Sequence, residues 1–305
     1  MTPASRHALA ALALALAACG GGDEVPAARA ATPQRYAVLS PSAAETLAAL
    51  GAAERVVAIG DWVTWPPALA RLPKLGAYDA PNEEALVALG VDTLVTTRSV
   101  AGAERRTRLA RLGIRVVEFD TATLAGTLAS IESLGRLAGR QPEASRLVSG
   151  IRDGLARVRA SAQGARRERT LVVVGSEPLF VAGGGSYLDE LVTIAGGENI
   201  AADAGATYAQ VSLEAMLARR PQVIVDLSDN RPGAPRGPGP GAWGAWPFLP
   251  AIARHAVWFV DPSRLSIPGP RLAEMAAELG RLIHPEIFGA PRDSDFTPLG
   301  VSAAP

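Results

Sequence analysis

The segment VSLEAMLARRPQVIV (Val211–Val225) has an earlier twin in the chain, PNEEALVALGVDTLV (Pro81–Val95). With Glu84 set over Glu214, Leu86 falls on Met216, Val87 on Leu217, Ala88 on Ala218, and Leu94-Val95 on Ile224-Val225. Both read as a short helix running directly into a buried strand. A chain that states this unit twice is read as two similar lobes, each with a glutamate at the same place. A second pair extends the parallel. Glu45 stands six residues before Gly51 in ETLAALG, and Glu190 six before Gly196 in ELVTIAG; each reads as a helix closed by a glycine cap. The competing account is that α/β repeats in an alanine-rich chain look alike.

Around these anchors, short apolar runs alternate with helical patterns. Strands are expected at Tyr36–Leu39, Arg55–Ile59, Thr93–Thr97, Arg115–Phe119, Thr170–Val174, Gln222–Leu227 and Val257–Val260. Near-continuous apolar strands suit a sheet covered on both faces, and alternating β and α suits parallel strands with helical crossovers. From Leu124 to Arg169 the alternation stops. Leu147, Ile151, Leu155 and Val158 mark one face of an amphipathic helix with Pro142 in its first turn. A helix from Pro142 to about Ala165 would run about 35 Å, enough to bridge two lobes and stiff enough to limit their hinging. The expected fold is therefore α/β: two parallel-sheet lobes, residues 35–141 and 169–289, joined by one long helix at 142–168, with a ligand cleft between them. Arg231–Gly241 (RPGAPRGPGPG) reads as an exposed loop without order, and residues 290–305 as a disordered tail.

The first residues read as a targeting segment. Arg6 and His7 lead into an apolar run, Ala8–Ala18, too short to span a bilayer but suited to a secretory signal. Leu16-Ala17-Ala18-Cys19 resembles the bacterial lipobox, and Cys19 is the one cysteine of the chain. This predicts a signal peptide over 1–18, a lipid on Cys19 that anchors the protein to a membrane outside the cytoplasm, and a flexible tether over 19–34. The 305 residues carry 30 Lys+Arg against 30 Asp+Glu, which argues against binding nucleic acid through bulk charge.

Catalytic patterns are not found. There is no Walker-type loop and no zinc spacing. Ser176 lacks the second glycine of a nucleophile elbow. Gly183–Ser186 could hold an anion at a helix start, or simply turn the chain. No cofactor, metal site or enzymatic activity is expected. Aromatics make up 5% of the chain, so their placement is informative. Trp62, Trp65, Tyr78, Phe180 and Tyr208 fall in loops at the expected carboxyl ends of strands, where ligands of open parallel sheets sit. They would line a cleft for a large flat ligand; core capping is the alternative for any one ring. Glu84 and Glu214 lie in first helical turns, where the helix dipole alone favours a negative charge. On two related lobe tips they also form matched acidic points for a partner with matched cations.

The stretches LSPSAAETLAALGAAERVVAI, WPPALARLPKLG, NEEALVALGVDTLV, GSYLDELVTIAGGENI, YAQVSLEAMLARRPQVIV and PGPRLAEMAAELGRLIHPE carry a resemblance that runs from about Tyr36 to Ile287. The chain resembles the substrate-binding proteins of bacterial ABC importers whose lobes are joined by one rigid helix, and within them the cobalamin binders. The resemblance implies that Glu84 and Glu214 pair with arginines of a permease dimer. It also implies that Trp65, Tyr78, Phe180 and Tyr208 face the corrin. Two of these positions carry tyrosine where tryptophan is usual, which keeps haem in view, since haem binders of this class ligate iron through tyrosine. Fe(III)-siderophores rank third. The expected protein is a monomeric periplasmic lipoprotein that delivers its ligand to an ABC permease. A metal-cofactor enzyme or a ligand-sensing lipoprotein on the same scaffold is the rival class.

Overall fold

In the first lobe the first three strands in chain order are short and almost wholly buried, as their apolar runs dictate, while the fourth, at a sheet edge, buries only Phe119 fully. The computed structural model describes residues 34–78, 80–97, 102–229, 231 and 233–299. The signal segment, Cys19 and nearly all of the tether lie outside the described residues. Lobe one contains β1 (Tyr36–Val38), α1 (Pro41–Ala49), β2 (Val56–Ile59), α2 (Pro67–Ala70), α3 (Glu83–Ala88), β3 (Thr93–Thr97), α4 (Ala103–Arg111), β4 (Arg115–Phe119) and α5 (Leu124–Leu137). Its four strands are ordered β2-β1-β3-β4 and all run parallel, so their carboxyl ends share one edge.

The connecting helix α6 spans Gln141–Ser161 and ends earlier than its pattern suggests. Its buried face is turned by one residue near the start: Val148 is buried where Leu147 was expected, and Leu147 is half-buried.

Lobe two contains β5 (Glu168–Ser176), β6 (Leu179–Ala182), α7 (Tyr187–Ile194), β7 (Gly197–Asn199), β8 (Tyr208–Gln210), α8 (Leu213–Ala218), β9 (Val223–Asp226), β10 (Gly237–Pro238), α9 (Pro250–Ala253), β11 (Val257–Phe259), α10 (Pro262–Leu265), α11 (Leu272–Ile283) and α12 (Pro285–Phe288). Its sheet is mixed rather than parallel. The order is β10-β11-β9-β5-β6-β8, with β7 also paired to β5. The strands β5, β7, β9 and β11 are parallel neighbours, while β6, β8 and β10 pair antiparallel.

Two further expectations for the second lobe fail. The Pro/Gly-rich stretch is not orderless: Gly237 and Pro238 pair with Phe259 and Trp258, and Arg236 meets Asp261 at 3.1 Å. Residues 290–299 are not a free tail either. Phe296 is buried against Trp258, with ring centroids 5.9 Å apart, and the Asp295 carboxylate accepts from Arg281 at 2.7 Å. One aromatic and one acid supply the apolar contact and the charge that dock a segment otherwise too polar to fold.

Each lobe has its own outer core, and one further core runs through both. That shared core includes Leu47, Leu134, Ile151, Leu155, Leu188, Met275 and Leu279, from α1, α5, α6, α7 and α11. Two contacts show how closely α6 is gripped. A Cβ at Gly135 would lie 2.4 Å from Ala144 Cβ, and one at Gly154 would lie 2.5 Å from Ala273 Cβ. Only glycine permits such approach of helix backbones, so the linker is wedged between a helix of each lobe.

Four further links tie the lobes. Arg271 grips the Glu45 carboxylate with two bonds, at 2.9 and 3.1 Å. Ser42 Oγ donates to Pro268 O. Leu124 N–H donates to Glu190 at 2.9 Å, and Tyr187 N–H to Ala122 O at 2.8 Å. The sequence-matched pair Glu45 and Glu190 thus does matched work, each reaching from a helix of its own lobe into the other.

Candidate ligand cleft and docking tips

The carboxyl ends of β1 and β3 open into a cavity of about 280 Å³ bordered by Leu39, Ser40, Pro41, Trp62, Tyr78, Thr96 and Thr97. A second, of about 290 Å³, is shared by the lobes: Thr97, Phe119, Asp120, Thr121 and Ala122 from one, Tyr187, Tyr208, Ser266 and Pro268 from the other. Thr97 borders both, so the two cavities adjoin; together they are called the trench. Each section alone is at the small end for an organic ligand.

Local chemistry sets the walls. The loop carrying Trp62 is held by Lys74, whose ammonium donates to Val63 O at 2.7 Å and to Asp61 O at 3.3 Å. Asp61 N–H in turn donates to Gly76 O at 3.0 Å, which ties this loop to the one carrying Tyr78. Trp62 is 57% exposed, Tyr78 48% and Tyr208 41%, all large rings left open to solvent. Unpacked rings around a concave surface point to ligand contact rather than core filling.

Of the five expected aromatics, the structure therefore brings Trp62, Tyr78 and Tyr208 to the trench. It does not bring Trp65 or Phe180 to the lining. Trp65 is half-buried at the start of α2. Phe180, on β6, shares a sheet face with Tyr208, because Ala182 pairs with Tyr208 and Phe180 with Gln210. Its ring packs where a Cβ on Gly175 would meet it at 3.4–3.6 Å.

Sequence reasoning missed Tyr187, which lines the trench although only 2% exposed. Its hydroxyl donates to Leu265 O at 2.9 Å. Burial pushes the Tyr187 phenol well above its ordinary value, and the adjoining Tyr208 adds to the rise. Tyr208 is raised as well, by burial of its hydroxyl end beside Tyr187, although much of its ring is open. Both are neutral hydroxyls at pH 7; the Tyr187 proton is already committed to Leu265 O, so Tyr208 is the phenol nearer the open trench. The Gly183–Ser186 turn holds no vacant anion cradle. Gly185 N–H is taken by Asp189 Oδ2 at 3.0 Å, and Asp189 N–H by Ser186 Oγ at 3.0 Å.

The twin glutamates stand apart from this lining. Asn82 Oδ1 caps α3 by accepting from Ala85 N–H at 2.9 Å, and Ser212 Oγ caps α8 by accepting from Ala215 N–H at 3.1 Å. Capping is thus performed by other residues. Glu83, next to Glu84, is consumed by Arg108 at 2.7 Å and Arg105 at 3.6 Å. Glu84 and Glu214 are exposed, and neither forms an ion pair among the described residues. Each helix runs back into a parallel strand, β3 or β9, so each glutamate sits at the carboxyl-end rim of its own sheet.

Two α/β lobes braced by a helix and parted by an aromatic-walled trench define a solute-binding architecture. The chain belongs to the periplasmic binding protein family, whose model matches residues 37–235. It is 28% identical over 252 residues to a vitamin B12-binding protein of Pectobacterium carotovorum subsp. carotovorum, covering 82% of this chain and 88% of that one. It is 24% identical over 251 residues to a vitamin B12-binding protein of Vibrio parahaemolyticus, covering 81% and 88%. Among solved structures, the vitamin B12-binding protein BtuF of Vibrio cholerae superposes with a TM-score of 0.69 at 24% identity, covering 82% of this chain and 96% of that one. The haem-binding protein HutB of Vibrio cholerae superposes with a TM-score of 0.73 at 20% identity, covering 83% and 100%. These two structures share the fold.

Proposed function

We propose that this protein is the substrate-binding component of an ABC importer, capturing cobalamin or a related corrinoid in the trench and presenting it to a permease dimer. The observation that carries the reading is the trench: three open rings, Trp62, Tyr78 and Tyr208, with the hydroxyl-bearing residues Ser40, Thr97, Thr121 and Ser266 in the same lining. Rings would lie against the apolar faces of a macrocycle, and hydroxyls would meet its peripheral amides. The neutral phenol of Tyr208 suits amide recognition, with Tyr187 packed behind it. The vitamin B12-binding relatives support the same ligand. No bond is made or broken in this reading, and the protein acts as a monomer without a resident cofactor.

Glu84 and Glu214 serve as docking points for permease arginines, because both are exposed and spared by caps and by neighbouring cations. Cys19 carries the lipid that holds the protein at an extracytoplasmic membrane surface.

Haem is the second reading. It is favoured by tyrosines at two trench positions and by the shared fold with haem-binding proteins such as HutB. Titration of the purified protein with cyanocobalamin, haemin and a ferric siderophore, followed by absorbance and calorimetry, separates the readings. The expected result is saturable, one-to-one cyanocobalamin binding. Saturable haemin binding with a tyrosinate charge-transfer band, and no response to cobalamin, would replace the first reading by the second.

A further inference from the structure

Beside α8 lies a second cavity, separate from the trench lining. It measures about 350 Å³ and is bordered by Ser176, Glu177, Val211, Leu213, Asp226, Trp243 and Trp246, among others. Asp226 ends β9 and is 7% exposed. A carboxylate at that depth ordinarily has a cationic partner. Asp226 has none among the described residues. Its Oδ1 accepts from Ser228 N–H at 2.9 Å and Ser228 Oγ at 2.6 Å, and its Oδ2 accepts from Trp243 Nε1 at 2.9 Å. Three neutral donors leave one acceptor site of the carboxylate open. Glu177 adds an exposed carboxylate, and among the described residues no lysine or arginine borders the cavity. Trp243 and Trp246 form an aromatic corner, centroids 6.0 Å apart and planes at 57°.

Aromatic faces, two carboxylates and an apolar side of Leu179, Val211 and Leu213 match one chemistry: a planar cation on a methylene stem. The geometry points to this cavity as a receptor for a guanidinium side chain of the permease, seated beside Glu214. The permease is the occupant because Val211 and Leu213, which border the cavity, flank the cap and first turn of the helix that carries Glu214. A partner brought to Glu214 is brought to this opening. The inference rests on the docking reading above and extends it: lobe two holds its partner at two points, by an exposed charge and by an enclosed one.

The test uses the mature full chain labelled with 5-fluorotryptophan, whose five tryptophans give separate ¹⁹F signals assigned by Trp→Phe variants. N-acetyl-arginine amide is expected to shift the Trp243 and Trp246 signals saturably, while the neutral isostere N-acetyl-citrulline amide does not. Glu177→Gln, an exposed change that spares the fold, should weaken that response about tenfold, and Asp226→Asn should abolish it. In the second arm, binding to permease-containing vesicles should fall about tenfold in Glu177→Gln with ligand affinity unchanged. No arginine-specific shift overturns the inference. So does a shift accompanied by undiminished vesicle binding in both cavity variants, which would make the cavity a site for free cations. Failure of the underlying docking reading is distinguishable, because then Glu214→Ala itself would bind vesicles normally.

Discussion

Glu278, on α11, gives the fold a pH dependence of unusual sign. Its carboxyl is buried against Arg264, yet one oxygen and the Arg264 Nε find no hydrogen-bond partner. Burial raises its pKa to about 7 from 4.5; nearby Asp295 pushes the same way, and Arg264 only partly offsets them. Between those two values the folded chain binds the proton more tightly than the unfolded chain. Stability from this group is therefore complete below pH 4.5 and lost as the pH rises through 7. The size is about 3 kcal/mol between pH 4.5 and pH 8 or above. Glu45 is also raised, by burial more than Arg271 lowers it, and acts in the same direction. Asp295 is lowered, Arg281 and Arg292 outweighing its burial, so its contribution disappears only below the usual aspartate value, outside this window. Glu278→Gln should remove most of the slope. Urea unfolding of the wild type at pH 5 and pH 8 should differ by roughly 1 M in midpoint, from an unfolding slope of about 3 kcal/mol/M. The variant should show less than half of that. Equal pH slopes in the two proteins would refute the assignment of a proton to Glu278.

Three further outcomes are expected. Arg271→Met leaves the Glu45 carboxylate, 1% exposed, without its cation; it should cost about 3–5 kcal/mol at pH 8 in chemical denaturation, with most of the loss recovered in Glu45→Leu/Arg271→Met. Glu84→Ala with Glu214→Ala should leave ligand affinity and melting temperature near wild type but abolish transport in reconstituted vesicles, whereas Asn82→Ala or Ser212→Ala should cost about 1 kcal/mol of stability through lost caps. Trp62→Ala and Tyr208→Ala should each weaken ligand binding by roughly 10–100-fold, read by calorimetry, with unchanged unfolding midpoints because both rings are open to solvent.

The parallel strands were readable because apolar runs between helices leave few alternatives: Thr93–Thr97 and Arg115–Phe119 stand where the pattern puts them. The strands β6, β7, β8 and β10 were not. Gly197-Glu198-Asn199 has no apolar alternation at all, and its pairing with β5 is decided by tertiary position. Phe296 and Asp295 look like tail residues until Trp258, Arg281 and Arg292 are seen to receive them. At the trench, Trp62 and Tyr78 were marked by scarce aromatics falling in loops; Tyr208 was marked the same way but begins β8 rather than lying in a loop. Tyr187 could not, since an aromatic at the start of an apolar helix reads as core. Lys74 gave no signal, because its work is done on backbone carbonyls that sequence does not display. Glu45 and Glu190 did give one, an acid six residues before a glycine cap in both halves, but their cross-lobe partners lie far off in sequence.

A wedged linker and reciprocal anchors make this protein a tray rather than a jaw. Swinging the halves through a wide angle would tear the Arg271–Glu45 grip and open a continuous core to water. In the proposed role, cargo would therefore be accepted with little reshaping of the walls. Escape is then governed by how well the cargo adheres, or by an outside machine strong enough to spread the rim.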